Sequence, residues 1–339
     1  MNKERLFSKI KTDILGIISI FSFAFVLLYP SLCKDAVFYG LGLSWGFLIP
    51  SLFFQMVLSG IIKESAFLRR LPFINSRWEI IILSLIGGFP VCAVQSKKAV
   101  INGEISESEA ILLNNCFLCG GPAFIIGGIG AKLLKSPFLG MLLYISSVLS
   151  CFILYLFSKK DKKTLKKSPA FPSFSQCITV PVSDTSRAAI TLSAFVTLFS
   201  AICYILSTLK IMPYLAYFLE VTFAANSLSE SFNLYSLLAI AFFSSFGGLC
   251  VQLQVIFNLG NIPLNKGKYF LLRISSGILS AIIFRLFLMI FPQSISVSFI
   301  PMPAPDFSGN IPASLFLIIF AFFTAFSLEK INLKNRNYH

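Results

Sequence analysis

Apolar runs of bilayer-spanning length, about 20 residues each, follow one another along most of the chain, and hydrocarbon offers no water to satisfy a backbone N–H or C=O. Each run must therefore close its own hydrogen bonds as a helix, which makes the expected fold an all-α polytopic membrane protein. Composition agrees. Of 339 residues, 56% are hydrophobic and 12% charged, too little polar surface to coat even two soluble domains. The single histidine is His339, at the end of a tail, so chemistry that needs a histidine base or histidine metal ligands is excluded short of a role for that residue.

The apolar stretch Ile14–Tyr29 follows Lys3, Arg5, Lys9 and Lys11, and is read as an uncleaved first span because Tyr29-Pro30-Ser31-Leu32-Cys33 offers no small-residue cleavage site. Further spans are expected near 36–62, 79–96, 137–158, 187–209, 234–258, 269–292 and 312–328. Two apolar segments are interrupted: 107–131 by Gly120-Gly121-Pro122, and 213–228 by Glu220 and Asn226. Such breaks survive at membrane depth only where protein or a water-lined cavity covers the freed backbone, so both read as re-entrant or broken helices. Entering and leaving on one side, they divide the basic residues 20 inside to 6 outside, with Lys34, Lys97, Lys98, Lys132, Lys135 and Lys210 on the outer face. The formal charge of +14 is thus a topology signal. Nucleic acid is not an expected partner, since no Lys/Arg stripe interleaved with aromatics lies outside the apolar runs.

The basic loop 158–176 divides the chain into halves that carry an echo at an offset of 160 residues. Ile81–Val91 aligns with Ala241–Val251, matching Ser84 with Ser244, Gly87-Gly88 with Gly247-Gly248 and Val91 with Val251. On the topology above, the two copies run in opposite directions, an inverted repeat. The expected organisation is an anchor span at 1–35, repeats at 36–158 and 187–292, a basic cytoplasmic linker at 159–186, and a final span and tail at 293–339.

Gly87–Val94 (GGFPVCAV), Ser106–Asn115 (SESEAILLNN) and Gly120–Gly130 (GGPAFIIGGIG) resemble the first half of the YlbJ-like sporulation integral membrane proteins, a group within the nucleoside-recognition (Gate-domain) family. Phe218–Leu228 and Phe246–Val255 resemble that family's second-half motifs, in the same order. Polar side chains that the family carries are replaced at Leu118, Cys119, Gly120, Phe223, Cys250 and Gln252, while the backbone pattern is kept. The resemblance implies a multi-pass protein of the cell membrane, or of the forespore or mother-cell membrane, that moves a small polar solute during endospore formation. Its implied partners are membrane lipids and an unidentified solute, together with a second copy of the chain or sporulation membrane proteins.

Gly87-Gly88 and Gly247-Gly248 either open a helix toward a ligand or let helices approach closely. At Gly120-Gly121-Pro122 the proline removes a donor and restricts Gly121, breaking the helix outright; Pro90 follows the first glycine pair. Glu220, beside Thr222, is the one acid well inside a short apolar segment. It binds solute, relays a proton, or pairs structurally with Arg273 or Thr222. Gln252 and Gln254 lie two apart on a helix and face different directions. The candidate solute-binding residues are therefore Gly87, Gly88, Pro90, Gly120, Gly121, Pro122, Glu220, Thr222, Gly247, Gly248, Gln252 and Gln254. Cys116 and Cys119 form a C-x-x-C without a second ligand pair, so no metal site is expected. No catalytic constellation or cofactor motif occurs, and Glu104, Glu107 and Glu109 read as an aqueous turn. The chain is not expected to be an enzyme; an intramembrane enzyme using Glu220, or a non-transporting scaffold, are the alternatives.

The charge division gives a first test. In a cysteine-free background, Lys163→Cys and Asn337→Cys should escape an impermeant maleimide in intact cells and react once the membrane is opened; external labelling of both would reverse the orientation.

Overall fold

The computed structural model describes residues 3–71, 73–158, 173–211 and 213–291, and among these every regular element is helical. Five of the helices are long and apolar enough to cross a membrane, as a polytopic membrane protein requires. The expected span 312–328 lies outside the described residues.

The first half runs through α1 (Lys3–Leu28), α2 (Pro30–Leu43), a π-helical turn (Ser44–Leu48), α3 (Ile49–Glu64), α4 (Ser76–Gly87), α5 (Phe89–Ile101), α6 (Glu107–Cys116), a π-helical segment (Ala123–Leu133) and α7 (Pro137–Phe157). The second runs through α8 (Phe174–Thr208), α9 (Pro213–Leu219), α10 (Val221–Ser229), α11 (Leu234–Phe246), α12 (Gly248–Leu259) and α13 (Lys266–Ile290). Short polar residues fix where several helices start. Asn75, Ser106, Ser136, Asn233 and Asn265 each accept a backbone N–H three residues on, at the heads of α4, α6, α7, α11 and α13. Ser173 and Gln176 form a capping box at the head of α8, so the linker expected to reach 186 gives way to helix at Phe174.

The segment 79–96 does not cross. Two helices of 12 and 13 residues laid end to end would separate their ends by about 38 Å. Here both ends meet one ion cluster: Lys63 Nζ lies 2.8 Å from Glu79 at the head of α4 and 3.5 Å from Glu104 just beyond α5. Arg69 reaches the same two carboxylates at 2.9 and 3.1 Å. So α4–α5 is a hairpin that turns at Gly88 and returns to the end where α3 finishes. The segment expected to re-enter, 107–131, instead crosses as an interrupted helix. Glu109 at its head pairs with Arg77 beside the cluster, while its far end turns into α7, where Ser136 N donates to Gly130 O at 2.9 Å. The 21 residues of α7 then run back about 30 Å to Tyr155, whose hydroxyl lies 3.5 Å from Arg77. Exchanging the two roles moves Lys97 and Lys98 to the basic end and sharpens the charge division to 22 against 4.

In the second half, 213–228 is a hairpin, as its interruption predicts, and it opens toward the other end. Cys203 Sγ bonds Ala216 O of α9 at 3.3 Å, and Asn226 of α10 donates to Tyr39, whose ring packs on Tyr204. These level with the far part of α8, about 28 Å along the helix from Asp184, which pairs with Lys98 of the first hairpin. The α11–α12 helix crosses with a break at Gly247 and finishes beside the first hairpin, where a Cβ on Gly260 would lie 2.8 Å from Lys97 Nζ. Both halves thus follow the order long helix, hairpin, interrupted crossing helix, long helix. The 160-residue echo aligns the hairpin of one half with the crossing helix of the other, and is not the register of that order.

Small and hydroxyl residues let the long helices meet. Gly40 of α2 lies against the backbone of Thr197 on α8, and Ser44 bonds Ser193 and Thr197. Ser147 and Ser150 of α7 bond Ser280 and Ser276 of α13.

The hairpin makes a prediction that separates it from a span. In a cysteine-free background, exposed Glu107→Cys should label from the same face as Lys163→Cys and opposite to Lys135→Cys. A crossing α4–α5 would put Glu107→Cys and Lys135→Cys on one face.

Candidate functional site

Hairpin tips and helix breaks meet in the middle of the bundle. Gly88, at the first tip, has φ 81° and ψ −165°, a conformation almost confined to glycine. A Cβ there would lie 2.7 Å from Gly121 N, so the hairpin tip touches the break of α6 backbone to backbone. Gly87 sits against Ser59 of α3, and Gly120 is wedged against Phe124 and Ile125. Pro90 stands at the second position of α5 and Pro122 at the entry to the π-helical segment, both places where a missing N–H costs no bond. The second crossing is made alike. A Cβ on Gly248, whose φ is 69°, would lie 3.1 Å from Leu219 O and 3.2 Å from Val221 N at the tip of the second hairpin. Phe89 joins the two crossings: its ring edge lies 3.4 Å from where Gly247 would carry a Cβ.

Interrupted helices leave backbone groups to satisfy, and three side chains do so, two of them buried and one half-buried. Arg273 of α13, fully buried, donates to Leu118 O at 2.5 Å and to Asn115 O at 2.8 Å, capping the C-terminal end of α6 with positive charge. Gln55 of α3 accepts from Ala123 N at 3.3 Å beyond the break. Glu220 starts α10: its Oε2 accepts from Phe223 N at 2.5 Å and from Ser200 Oγ at 3.5 Å. Arg273 therefore serves the first break while Glu220 serves the second hairpin, and the ion pair between them, one of the alternatives the sequence left open, does not form. A carboxylate and a guanidinium on different elements can each be used up by freed backbone closer at hand.

Thr222 is buried one residue into α10. Gln252 and Gln254 are both buried on α12, one to two turns beyond Gly248, with different fates. Gln254 Nε2 bonds Cys250 Sγ at 3.3 Å, whereas both amide atoms of Gln252 lack a partner. A buried amide without a partner costs about 1–3 kcal/mol, so Gln252 is the less satisfied of the two. Glu104 and Glu109 are not on an aqueous turn but buried, each paired with arginine. Gln55 is the residue at the break that sequence reasoning passed over; a lone amide in an otherwise apolar span was its signal. Among the described residues, no group of three His, Cys, Asp or Glu side chains is placed to hold a metal ion, Cys116 and Cys119 included.

On the end shared with the ion cluster, a cleft of about 420 Å³, its open mouth included, leads between α3, α5 and α8 down to Pro90 and Val91 beside the first tip. Compared with family models, with curated proteins and with solved structures, the chain matches none.

Two substitutions test the crossings and the caps. Gly88→Ala should destabilise the purified protein by about 1–3 kcal/mol, read as melting temperature in detergent, while Gly42→Ala, in helix α2 and with its Cβ in open space, should not lower it. Because Arg273 and Glu220 cap separate breaks, the losses from Arg273→Gln and Glu220→Gln should add in the double variant; mutual rescue would show that they act as a pair.

Proposed function

We propose that this protein is a transporter for a small polar solute, with its binding region where the two hairpin tips meet the two helix breaks. The observation that carries this reading is the entry of α4–α5 and α9–α10 from opposite ends to a shared middle, where glycine-only backbone and the unpaired Gln252 amide concentrate. Discontinuous helices at mid-depth are how secondary transporters present backbone dipoles to a solute, and a hairpin opening to each end supplies one gate per side. The opposed hairpins also support an inverted arrangement of the halves. Glu220 already accepts from Phe223 and Ser200, which favours a cap at the site over a general base and a transporter over an intramembrane enzyme.

On this reading, the resemblance of the glycine-rich motifs to the sporulation Gate-domain proteins supports endospore formation as the setting, with the forespore or mother-cell membrane as the location. Membrane lipids and the solute are the partners.

Reconstitution in liposomes tests it: the protein should support saturable uptake from a panel of small polar metabolites. Glu220→Gln keeps an acceptor for Phe223 N and removes the charge, so it should insert at normal yield and lower uptake by about tenfold or more. No flux of any solute by folded protein would remove the transport reading, and unchanged flux in Glu220→Gln would reduce that residue to a cap.

A further inference from the structure

The cleft beside the first hairpin has chemistry of its own. At its mouth, Lys98 of α5 stands between two carboxylates on different helices, bonded to Asp184 of α8 and 3.8 Å from Glu64 of α3. All three are about one-third exposed, so water and solutes reach them. Among the residues that line the mouth, two carboxylates face one ammonium, and the nearby Lys63 is held by Glu79 and Glu104. The ammonium of Lys98 is thus a tethered example of what this pair of acids accepts.

Deeper in, Gln95 is more than nine-tenths buried, lines the cleft and has an Oε1 with no partner. Buried Thr185 stands on the opposite wall, and Met56, Val91 and Val94 supply apolar surface between them. Apolar walls with a few convergent polar groups are the general form of a small-molecule site.

We propose that this cleft binds a small solute carrying a protonated amine: the amine replaces Lys98 between Asp184 and Glu64, an apolar body lies along Val91 and Val94, and a hydrogen-bond donor reaches Gln95 Oε1. Displacing Lys98 also removes the ion pairs that join α5 to Glu64 of α3 and Asp184 of α8, while the cluster at Lys63 and Arg69 keeps the root of the hairpin in place. The proposal rests on the transport reading for the purpose of the cleft, and not for its chemistry.

Binding by the purified full chain in detergent, measured by calorimetry, tests it with three related probes: leucinamide (cationic), leucine (zwitterionic) and N-acetylleucinamide (neutral). Leucinamide should bind saturably, and the neutral probe at least about tenfold more weakly, a difference equivalent to 1.4 kcal/mol. Asp184→Asn and Gln95→Leu should each weaken leucinamide by a similar factor, while Lys98→Gln, which removes the tethered competitor, should tighten it. Melting temperature confirms folding of each variant. Should Asp184→Asn fail to fold, the sign of the Lys98→Gln effect decides: tighter binding supports the site and weaker or unchanged binding overturns it. Absence of leucinamide binding, equal binding of the neutral probe, or unchanged affinity in folded Asp184→Asn would also overturn it. Amine binding without liposome flux would leave this site standing and remove the transport reading, whereas flux of a neutral solute by protein that binds no amine would do the reverse.

Discussion

Arg273 holds the open end of α6, and much of the bundle is arranged around that need. Once a helix stops at membrane depth, its last carbonyls have neither a next turn nor water to meet them, at several kcal/mol per group. The guanidinium answers two of them from a neighbouring helix, and Gln55 meets an N–H on the far side of the gap. Because those side chains belong to α13 and α3, the interrupted helix is fixed between two continuous ones. Glu220 solves the opposite problem, an unfilled N-terminus, from within its own hairpin. Sign follows backbone polarity in each case: cation at a carbonyl end, anion at an amide end.

The first hairpin is held in two ways. Its roots are set by charge, in a cluster where Lys63 and Arg69 balance Glu79 and Glu104, so that none of these buried groups is left uncompensated. Its tip is set by contact between peptide groups at Gly88 and Gly121. Breaking one partner of the cluster would strand a charge, whereas the tip carries no charge to strand. The hairpin is anchored by charge at its base and by close backbone packing at its point.

The continuous spans 137–158, 187–209 and 269–292 were legible because length and hydropathy alone decide them, and Glu220 was legible because a carboxylate in an apolar segment needs a reason. The roles of 79–96 and 107–131 were not. Both contain enough apolar residues to cross, and exchanging them moves only Lys97 and Lys98 in the charge count, too little to choose. What chooses is the meeting of Glu79 and Glu104 with Lys63 and Arg69, a contact between residues far apart in sequence. The echo misled for a related reason. Two glycines in an apolar helix mark a place where backbone must come close, and a hairpin tip and a helix break have that need equally. The fate of Arg273 was hidden too, since its partners are carbonyls, which every residue possesses and no sequence pattern reports.

The contact of Gly88 with Gly121 has an evolutionary consequence. A junction made of peptide groups contains no side chain that could be exchanged for one of another size or polarity, so changes there can only harm it. Side-chain positions elsewhere, such as Gln252 and Gln95, can vary while the junction stays as it is. Descendants of such a chain could drift widely in their side chains and still keep this one backbone contact.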